Sequence, residues 1–159
     1  MGERAFWLLK TEPREWSWDD QKANNGETYW DGVKNKQAQK NLKAMKVGDL
    51  CFFYHSGKER RVVGVVAVTM EWYSDGQEEV VIEVGEVGEM RKTVSLMDMK
   101  NDKLLKSLSA EFALFKQPRL SVVPVPEKIW DKICELGNGY HGDSKDVSTD
   151  DDDDDDVDE

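Results

Sequence analysis

The sequence predicts an α+β fold, a small mixed β-barrel with helices around it. The chain has 159 residues, which is the size of one domain, or of one domain with a tail. Six segments have the β-branched and aromatic composition of strands, and helical segments are interspersed between them. A body of about 140 residues buries about two-thirds of its unfolded surface, which is enough for one hydrophobic core.

The strand candidates share β-branched or aromatic side chains and are bounded by Gly, Pro or charged residues. In chain order they are residues 5–11, 50–55, 62–73, 80–84, 92–94 and 119–125. Gly64 interrupts the longest candidate, where we expect a bulge or the close approach of another part of the chain. Pro124 cannot donate a hydrogen bond to a sheet, so we expect the last candidate at a sheet edge or a strand end.

Four helical regions are expected between and after these strands. They are a short helix after Ser17, a helix over residues 35–46, a region of helical periodicity over residues 96–108, and a last helix with Pro126 as its first residue. Ser17 and Asp20 have the spacing of a capping box, and Gly26 and Gly137 are expected to end the first and last helices. Residues 28–34 predict a loop. In the region over residues 96–108, the side chains expected to face the core are those of Leu104, Leu105 and Leu108.

Charge is distributed unevenly along the chain, which has a formal net charge of -11. Residues 142–159 carry eleven acidic residues and one lysine, whereas residues 1–141 are close to neutral. The C-terminal segment has almost no apolar side chain to bury, so we expect it to be disordered. The predicted organisation is a folded domain over residues 1–140 and a disordered Asp-rich tail over residues 141–159.

Composition excludes several classes of protein. No apolar run approaches the length of about 20 residues that spans a bilayer, and residues 1–10 lack the features of a signal peptide. Two cysteines, Cys51 and Cys134, cannot form a disulfide framework, and no Asn-x-Ser/Thr sequence is present. These features favour an intracellular, reducing compartment and no membrane partner.

Three motifs favour ordinary structural roles. Residues 137–142 match the pattern Gly-x-Gly-x-x-Gly, but they follow a predicted helix rather than a strand, so we interpret them as a flexible joint. Cys51 and His55 share a strand face but are about 13 Å apart, too far for a nucleophile and its base. Cys134 and His141 add no spacing that suits zinc, and the Asp run lacks the turn glycine of an EF-hand. We therefore expect no catalytic residue, no metal and no cofactor.

The segment over residues 34–61 is the most informative part of the sequence. It carries eight Lys/Arg residues against two acidic ones, a local net charge of +6. Trp30, Tyr54, Trp72 and Tyr73 lie within or near it. A basic strip neutralises phosphates, and an aromatic ring stacks on a base with about 1–3 kcal/mol. This combination favours nucleic-acid binding over a solvated helix face.

Several motifs, in order along the chain, resemble the EVE-domain family, which includes the thymocyte nuclear protein type. They are Trp-Leu-Leu-Lys-Thr-Glu-Pro at residues 7–13, Trp-Asp-Gly-Val-Lys-Asn at 30–35 with Gln37, Ala38 and Asn41, Met-Lys-Val-Gly-Asp at 45–49, Phe-Tyr-His-Ser at 53–56, and Arg-Leu-Ser-Val at 119–122 with Pro124 and Val125. The likeness covers residues 6–136. One stretch departs from the family pattern, because the insert that usually follows Tyr73 and precedes Val94 is shorter here.

The resemblance implies a PUA-like pseudo-barrel, related to the YTH, ASCH and SRA domains that read modified bases. It also implies a reader of modified nucleobases, above all of a modified cytosine in DNA, with RNA as the other carrier. By analogy with YTH readers, the residues expected to line the base pocket are Lys10, Thr11 and Glu12 on one strand and Trp30 and Asp31 in one loop.

The side-chain chemistry of the candidate residues suggests a role for each of them in the predicted site. Trp30 is expected to stack on an extruded base, and Asp31 or Glu12 to accept a hydrogen bond from an exocyclic amine. The other candidate pocket residues are Asn35, Tyr54, His55 and Ser56. The candidate phosphate-binding residues are Lys34, Lys36, Lys40, Lys43, Arg60, Arg61 and Arg119. The expected partner is DNA or RNA with a modified base, bound by a monomer in the nucleus or the cytoplasm.

Two alternatives from other functional classes stay open. ASCH-like relatives include amidohydrolases that act on modified nucleosides, and Lys10 and Glu12 share a strand face where a desolvated Lys–Glu couple could activate water. In the other alternative the protein is an adaptor, whose Asp run at residues 150–156 recruits basic proteins such as histones. Product released from a free nucleoside favours the enzyme, and binding without turnover favours the reader.

Overall fold

The structure, a computed structural model, describes residues 4–24, 27–74, 76 and 79–144. Within these residues six strands form one mixed sheet, and they are β1 (Phe6–Thr11), β2 (Glu27–Trp30), β3 (Leu50–His55), β4 (Arg61–Ser74), β5 (Val80–Ser95) and β6 (Val122–Pro124). Their order is β2-β5-β4-β3-β1-β6, so β2 and β6 are the edges. β1 is parallel to β3, and the other pairs are antiparallel. The predicted Asp run and Gly26 lie outside the described residues.

Helices lie around this sheet. In the described part of the chain they are α1 (Trp18–Ala23), α2 (Lys36–Ala44), α3 (Leu96–Asn101), α4 (Lys103–Ser107), α5 (Ala113–Lys116) and α6 (Glu127–Leu136), with a 3-10 turn at Ser109–Glu111. Bulges where β4 pairs with β3 and β5 shift the register, and such bulges bend a sheet. α2 contacts β6 at one sheet edge and also β4 and β5. The bent sheet and α2 therefore enclose a barrel-like core.

Aromatic side chains fill much of that core. Phe52 stacks on Trp130 with 3.8 Å between ring centroids, and Phe53 meets the edge of Trp18 at 5.1 Å. The Trp18 ring lies so close to Gly64 that a Cβ at this position would overlap it. The register also shifts between Val62 and Gly64, so the predicted bulge and close approach at Gly64 are both present.

The end of the barrel where β1 and β3 begin is closed by a buried carboxylate. Asp49 is 3% exposed and precedes β3. Its oxygens accept hydrogen bonds from the Trp7 indole nitrogen at 3.0 Å, from the Ala5 amide at 3.1 Å and from the Lys46 amide at 3.0 Å. Because three donors satisfy the buried charge, Asp49 connects β1, β3 and the loop that follows α2.

Long-range pairing changes one predicted loop and two predicted strands. The loop predicted over residues 28–34 is wrong in its first half, because β2 forms an edge strand that pairs Trp30 with Ile82 of β5. The short strands predicted at residues 80–84 and 92–94 are one continuous strand of 16 residues. Glycines and glutamates interrupt the apolar pattern of β5, and register shifts against β4 accommodate the irregular spacing.

Helix boundaries also differ from the prediction over residues 96–108. Asp102 ends α3 and caps α4, where its side chain accepts a hydrogen bond from the Leu105 amide at 3.0 Å. The region is therefore two helices, and Leu104, predicted to face the core, is 44% exposed. Pro126 is the N-cap of α6 rather than its first residue. The strand before it is three residues long and lies at a sheet edge, as its proline predicts.

The C-terminal segment at residues 137–142 is attached to β5 and is not the flexible joint that the sequence predicts. The Arg91 amide donates a hydrogen bond to the Gly139 carbonyl at 3.1 Å. The Arg91 guanidinium also binds both carboxylate oxygens of Asp143, at 2.8 and 3.0 Å. Residues 137–143 are therefore held beside β5.

Candidate nucleic-acid interface

A cleft of about 850 Å³, lined by polar and aromatic side chains, opens at the end of the barrel where β1, β2 and β3 finish. Its volume falls in the range of pockets that hold small organic ligands. The residues that line it are Lys10, Thr11, Glu12, Glu15, Trp16, Thr28, Tyr29, Trp30, Asp31, Gly32, Val33, Lys34, Ser56, Pro118, Arg119 and Ser121. Six of the nine predicted pocket residues are thus brought together, namely Lys10, Thr11, Glu12, Trp30, Asp31 and Ser56.

Trp30 is positioned at the cleft by the edge strand β2. It is 7% exposed, and its ring meets Phe53 edge-on with 5.7 Å between centroids. The side chain therefore packs on the core and also lines the cleft. Within the described residues its indole N–H has no hydrogen-bond acceptor, although it is not sealed from solvent. Trp30 therefore offers the cleft an aromatic surface.

Two carboxylates lie in the cleft wall. Asp31 is exposed and forms no hydrogen bond or ion pair with any other described residue. Glu12 follows β1, and its carboxylate lies so close to Gly57 that a Cβ there would overlap it. Gly57 has a φ of 78°, in the left-handed region that favours glycine. Ionised carboxylates accept hydrogen bonds only, so both side chains present acceptors to a ligand.

Lys10 connects the cleft to the segment before β6. Its Nζ donates a hydrogen bond to the Pro118 carbonyl at 2.8 Å and lies 5.9 Å from the Tyr54 ring centroid. Burial lowers the pKa of the Lys10 amine and raises the pKa of the Tyr54 hydroxyl to about 12. In the described structure Lys10 and Glu12 form no hydrogen bond with each other.

Three of the predicted pocket residues lie elsewhere. Tyr54 is 3% exposed and belongs to the core. His55 is buried, where its Nε2 accepts a hydrogen bond from the Trp18 amide at 3.0 Å and its Nδ1 meets the Glu59 carboxylate at 2.8 Å. The bond to His55 is the main cause of a lowered pKa at Glu59. Asn35 caps α2, since its side chain accepts a hydrogen bond from the Ala38 amide at 2.9 Å.

Cationic side chains lie in the cleft wall and on α2, the helix that follows it in the chain. Lys34 and Arg119 line it directly. Lys36, Lys40 and Lys43 form a stripe on the exposed face of α2, and Lys43 Nζ lies 4.9 Å from the Trp72 ring centroid. The two arginines of the β3–β4 turn have local partners, Gly57 for Arg60 and Glu59 for Arg61.

Several residues of the cleft were not among the predicted pocket residues. Trp16 comes from the turn before α1, and its indole nitrogen donates to Gln21 at 2.9 Å. Tyr29 is 63% exposed on β2. Aromatic residues in polar segments are the signal that could have found both. Pro118 and Ser121 reach the cleft only through the long-range pairing of β6 with β1.

After Tyr73, the last described pair of the β4–β5 hairpin is Ser74 with Val80. The described residues of this hairpin do not line the cleft. The hairpin nevertheless contacts the loop after β2, because the Gly32 amide donates a hydrogen bond to Glu79 at 3.2 Å. The cleft walls thus come from other segments, and this hairpin supports one of them.

A smaller cavity of about 340 Å³ adjoins the cleft at the start of α2. The residues that line it are Asn35, Gln37, Gln117, Pro118, Arg119 and Leu120. Pro118 and Arg119 belong to both cavities, so they form the boundary between them.

Both cysteines lie in surroundings that favour the protonated thiol. Cys51 is fully buried, which raises the pKa of its thiol, and burial raises the pKa of Cys134 to about 12. No group of His, Cys, Asp or Glu side chains in these residues is arranged to hold a metal ion. None of their helices has both the length and the apolar composition needed to cross a bilayer.

Comparisons with known proteins agree with this architecture. The EVE domain model matches residues 5–136. Thymocyte nuclear protein 1 of Gallus gallus is 30% identical over 165 residues, covering 83% of this chain and 68% of that protein. A crystal structure of an Agrobacterium tumefaciens protein is 37% identical with a TM-score of 0.78, covering 85% and 94% of the two chains. Human THYN1 protein, in complex with 5-methylcytosine containing DNA, is 28% identical with a TM-score of 0.74, covering 84% and 97%.

The bent mixed sheet, closed by a helix and open at one polar end, defines a PUA-like domain, so the predicted fold class is confirmed. Within that class, the chain belongs to the EVE-domain family.

Proposed function

We propose that this domain binds nucleic acid and captures one modified base, a modified cytosine in DNA, in the cleft. RNA is the alternative carrier of the base. The observation that carries the proposal is the cleft itself, where Trp30, Asp31 and Lys34 lie in one cavity. An aromatic surface, an acceptor and a cation are the groups that a base and its phosphate require.

Recognition of cytosine needs an acceptor for its N4 amine. Asp31 suits this role because it lines the cleft and forms no bond with any other described residue. Glu12 is the second candidate in the same wall. A carboxylate that accepts from N4 favours cytosine over thymine, whose corresponding O4 atom is itself an acceptor.

Capture from a duplex requires the base to leave the stack, which costs a few kcal/mol. Stacking on an aromatic ring contributes about 1–3 kcal/mol per base. Trp30 is the proposed stacking surface, and Tyr29 or Trp16 can cover the base from another wall of the cleft. Because the stacking energy only about offsets the cost of taking the base out of the stack, the cleft alone should bind with modest affinity. Phosphate contacts are therefore needed as well.

Phosphate contacts are proposed for the cationic residues around the cleft. Lys34 and Arg119 line the cleft, and we propose that they contact the backbone next to the captured base. The stripe of Lys36, Lys40 and Lys43 on α2 extends this surface. Phosphate contacts hold a nucleic acid in position without reading its sequence.

Relatives support the proposal and its setting. Human THYN1 protein has been crystallised with DNA that contains 5-methylcytosine, and its fold matches this chain. The name of the curated relatives supports a nuclear location. For residues 145–159, outside the described structure, we propose electrostatic contact with basic proteins.

The experiment that tests the proposal compares matched oligonucleotides by fluorescence anisotropy, in duplex and single-stranded form. Cytosine, 5-methylcytosine and a modified adenine occupy the same central position, and RNA of the same sequence is included. We expect tighter binding to the modified cytosine than to cytosine, and we expect Asp31→Asn to weaken binding to the modified cytosine because the acceptor for its N4 amine is lost. Equal affinity for all of these oligonucleotides would falsify the base-capture function.

The alternative of hydrolysis is tested in parallel with free modified nucleosides. It has one favourable observation, since burial lowers the pKa of Lys10 and Glu12 lines the same cleft. Lys10 donates its hydrogen bond to Pro118, however, so the couple is not assembled. We expect no product by chromatography, and turnover abolished by Lys10→Met would replace the reader by the enzyme.

A further inference from the structure

The side cavity next to the cleft has the size and polarity of a ligand site. Its volume of about 340 Å³ lies within the range of small-molecule pockets. Three carboxamide side chains line it, from Asn35, Gln37 and Gln117. The Gln117 side chain forms no hydrogen bond with another described residue, and its exposed position lets it turn toward a ligand.

The orientation of the Gln37 carboxamide is set by a chain of hydrogen bonds. Asn41 is buried, and its Nδ2 donates to the Val122 carbonyl at 2.8 Å. A carbonyl can only accept, so the Asn41 amide has one orientation, with Oδ1 left as an acceptor. That oxygen accepts a hydrogen bond from Gln37 Nε2 at 3.2 Å. Gln37 therefore keeps its Oε1 as an acceptor and its second N–H as a donor for the cavity.

We propose that the side cavity binds the nucleotide next to the captured base, and that Gln37 reads an adenine there. This inference rests on the proposed function of the cleft. A glutamine amide that offers one acceptor and one donor matches the N6 and N7 edge of adenine. The same pair of groups does not match guanine, which presents two acceptors on that edge.

The position of Arg119 is the reason to propose that one nucleic-acid strand crosses both cavities. It lines both of them and forms no ion pair or hydrogen bond within the described residues. Consecutive nucleotides are joined by one phosphate, and a guanidinium binds a phosphate with two parallel hydrogen bonds. A strand with one base in each cavity places its linking phosphate at the shared boundary.

The test measures context preference with duplexes that carry one central 5-methylcytosine. The base on each side is varied through adenine, cytosine, guanine and thymine, and affinities are obtained by fluorescence anisotropy. We expect adenine on one side to tighten binding at least about fivefold over the other bases. Gln37→Leu is expected to reduce this preference to less than about twofold while the ratio of methylated to unmethylated affinity is kept.

A matched control removes a carboxamide far from the cleft. Asn101→Ala on α3 takes away an exposed amide and is expected to keep the preference for adenine. Thermal melts check that both variants are folded. Wild-type protein that recognises methylcytosine but ignores its neighbours overturns this inference alone, as does a preference that survives Gln37→Leu. A wild-type protein that binds methylated and unmethylated duplexes equally, or neither, overturns the proposed function together with the inference.

Discussion

The two ends of the barrel each hold a tryptophan and an aspartate, but the two carboxylates have different partners. Asp49 is buried and accepts three N–H groups, one of them from Trp7. Asp31 is exposed beside Trp30 and forms no bond with another described residue. A carboxylate whose acceptor sites are filled by its own chain contributes to stability, whereas an unfilled one in a cleft is available to a ligand. The first end stabilises the fold, and the second end is the proposed binding site.

The largest effect is expected from Trp30→Ala, because Trp30 has both roles. Its side chain is 7% exposed, so truncation should lower the free energy of unfolding by about 3–5 kcal/mol. Loss of the stacking surface should also weaken binding to the methylated target by about 1–3 kcal/mol. Urea unfolding and anisotropy, at a temperature where the variant is folded, measure the two effects separately.

The matched control for Trp30 is Trp72→Ala. Trp72 is 43% exposed and does not line the cleft, so its truncation should change stability by less than about 1 kcal/mol and keep methylcytosine recognition. A folded Trp30→Ala protein that still discriminates methylcytosine would remove the binding role from this end of the barrel.

Asp49→Ala tests the end of the barrel opposite the cleft. Three buried or half-buried N–H groups lose their acceptor, which should lower the free energy of unfolding by about 3 kcal/mol or more. For a domain of this size the melting temperature should fall by about 10 °C. The folded fraction should bind methylated and unmethylated DNA with the wild-type ratio. A changed ratio in folded protein would show that the two ends are not independent.

A smaller effect is expected when Lys36, Lys40 and Lys43 are replaced together by Ala. These exposed residues should contact phosphates, so affinity should fall alike for modified and unmodified DNA. The slope of log K against log salt should flatten by up to about 0.9 per lost contact. The control with the same loss of charge replaces Lys100, Lys103 and Lys106, which are exposed on α3 and α4. Equal salt slopes for the two triple variants would place the nucleic acid away from α2.

The smallest effect is expected from truncation after Ser144. The removed residues 145–159 are strongly acidic, and they are tethered to a domain whose basic strip is the proposed phosphate site. Truncation should tighten binding severalfold at low salt and have little effect at high salt, because exposed charges are screened. This end point keeps the Arg91–Asp143 ion pair, which a cut after residue 139 would remove. Identical affinities at low ionic strength would contradict competition by the tail.

Elements determined by local pattern could be predicted from the sequence. β1, β3 and α2 have the expected positions because their apolar spacing is regular and their ends carry clear breaking or capping residues. β2 and the middle of β5 could not be recognised in this way. β2 pairs with residues about fifty positions further along the chain, and this partner strand rather than local composition makes Glu27–Trp30 extended. The middle of β5 pairs with β4 through shifts of register that its own sequence does not show.

The residues of the candidate site could also be predicted only where a local sequence motif marks them. The motifs at the ends of β1 and β2 pointed to Lys10, Glu12, Trp30 and Asp31, which do line one cleft. Tyr54 and His55 adjoin Ser56 in sequence, but the strand buries both of them. The segment at residues 117–121 was missed apart from Arg119, because only the pairing of β6 with β1 brings it to the cleft.

The short edge strands of the sheet bear on how the protein behaves at high concentration. The longest strands, β4 and β5, lie inside the sheet, and each has a neighbouring strand on both sides over part of its length. The edges are a four-residue strand and a three-residue strand that ends in Pro124, which has no amide hydrogen. An exposed edge is a template on which a second chain can add a strand and begin to aggregate, and short or proline-bearing edges offer little of it. We therefore expect the domain to stay monomeric and resistant to edge-to-edge aggregation.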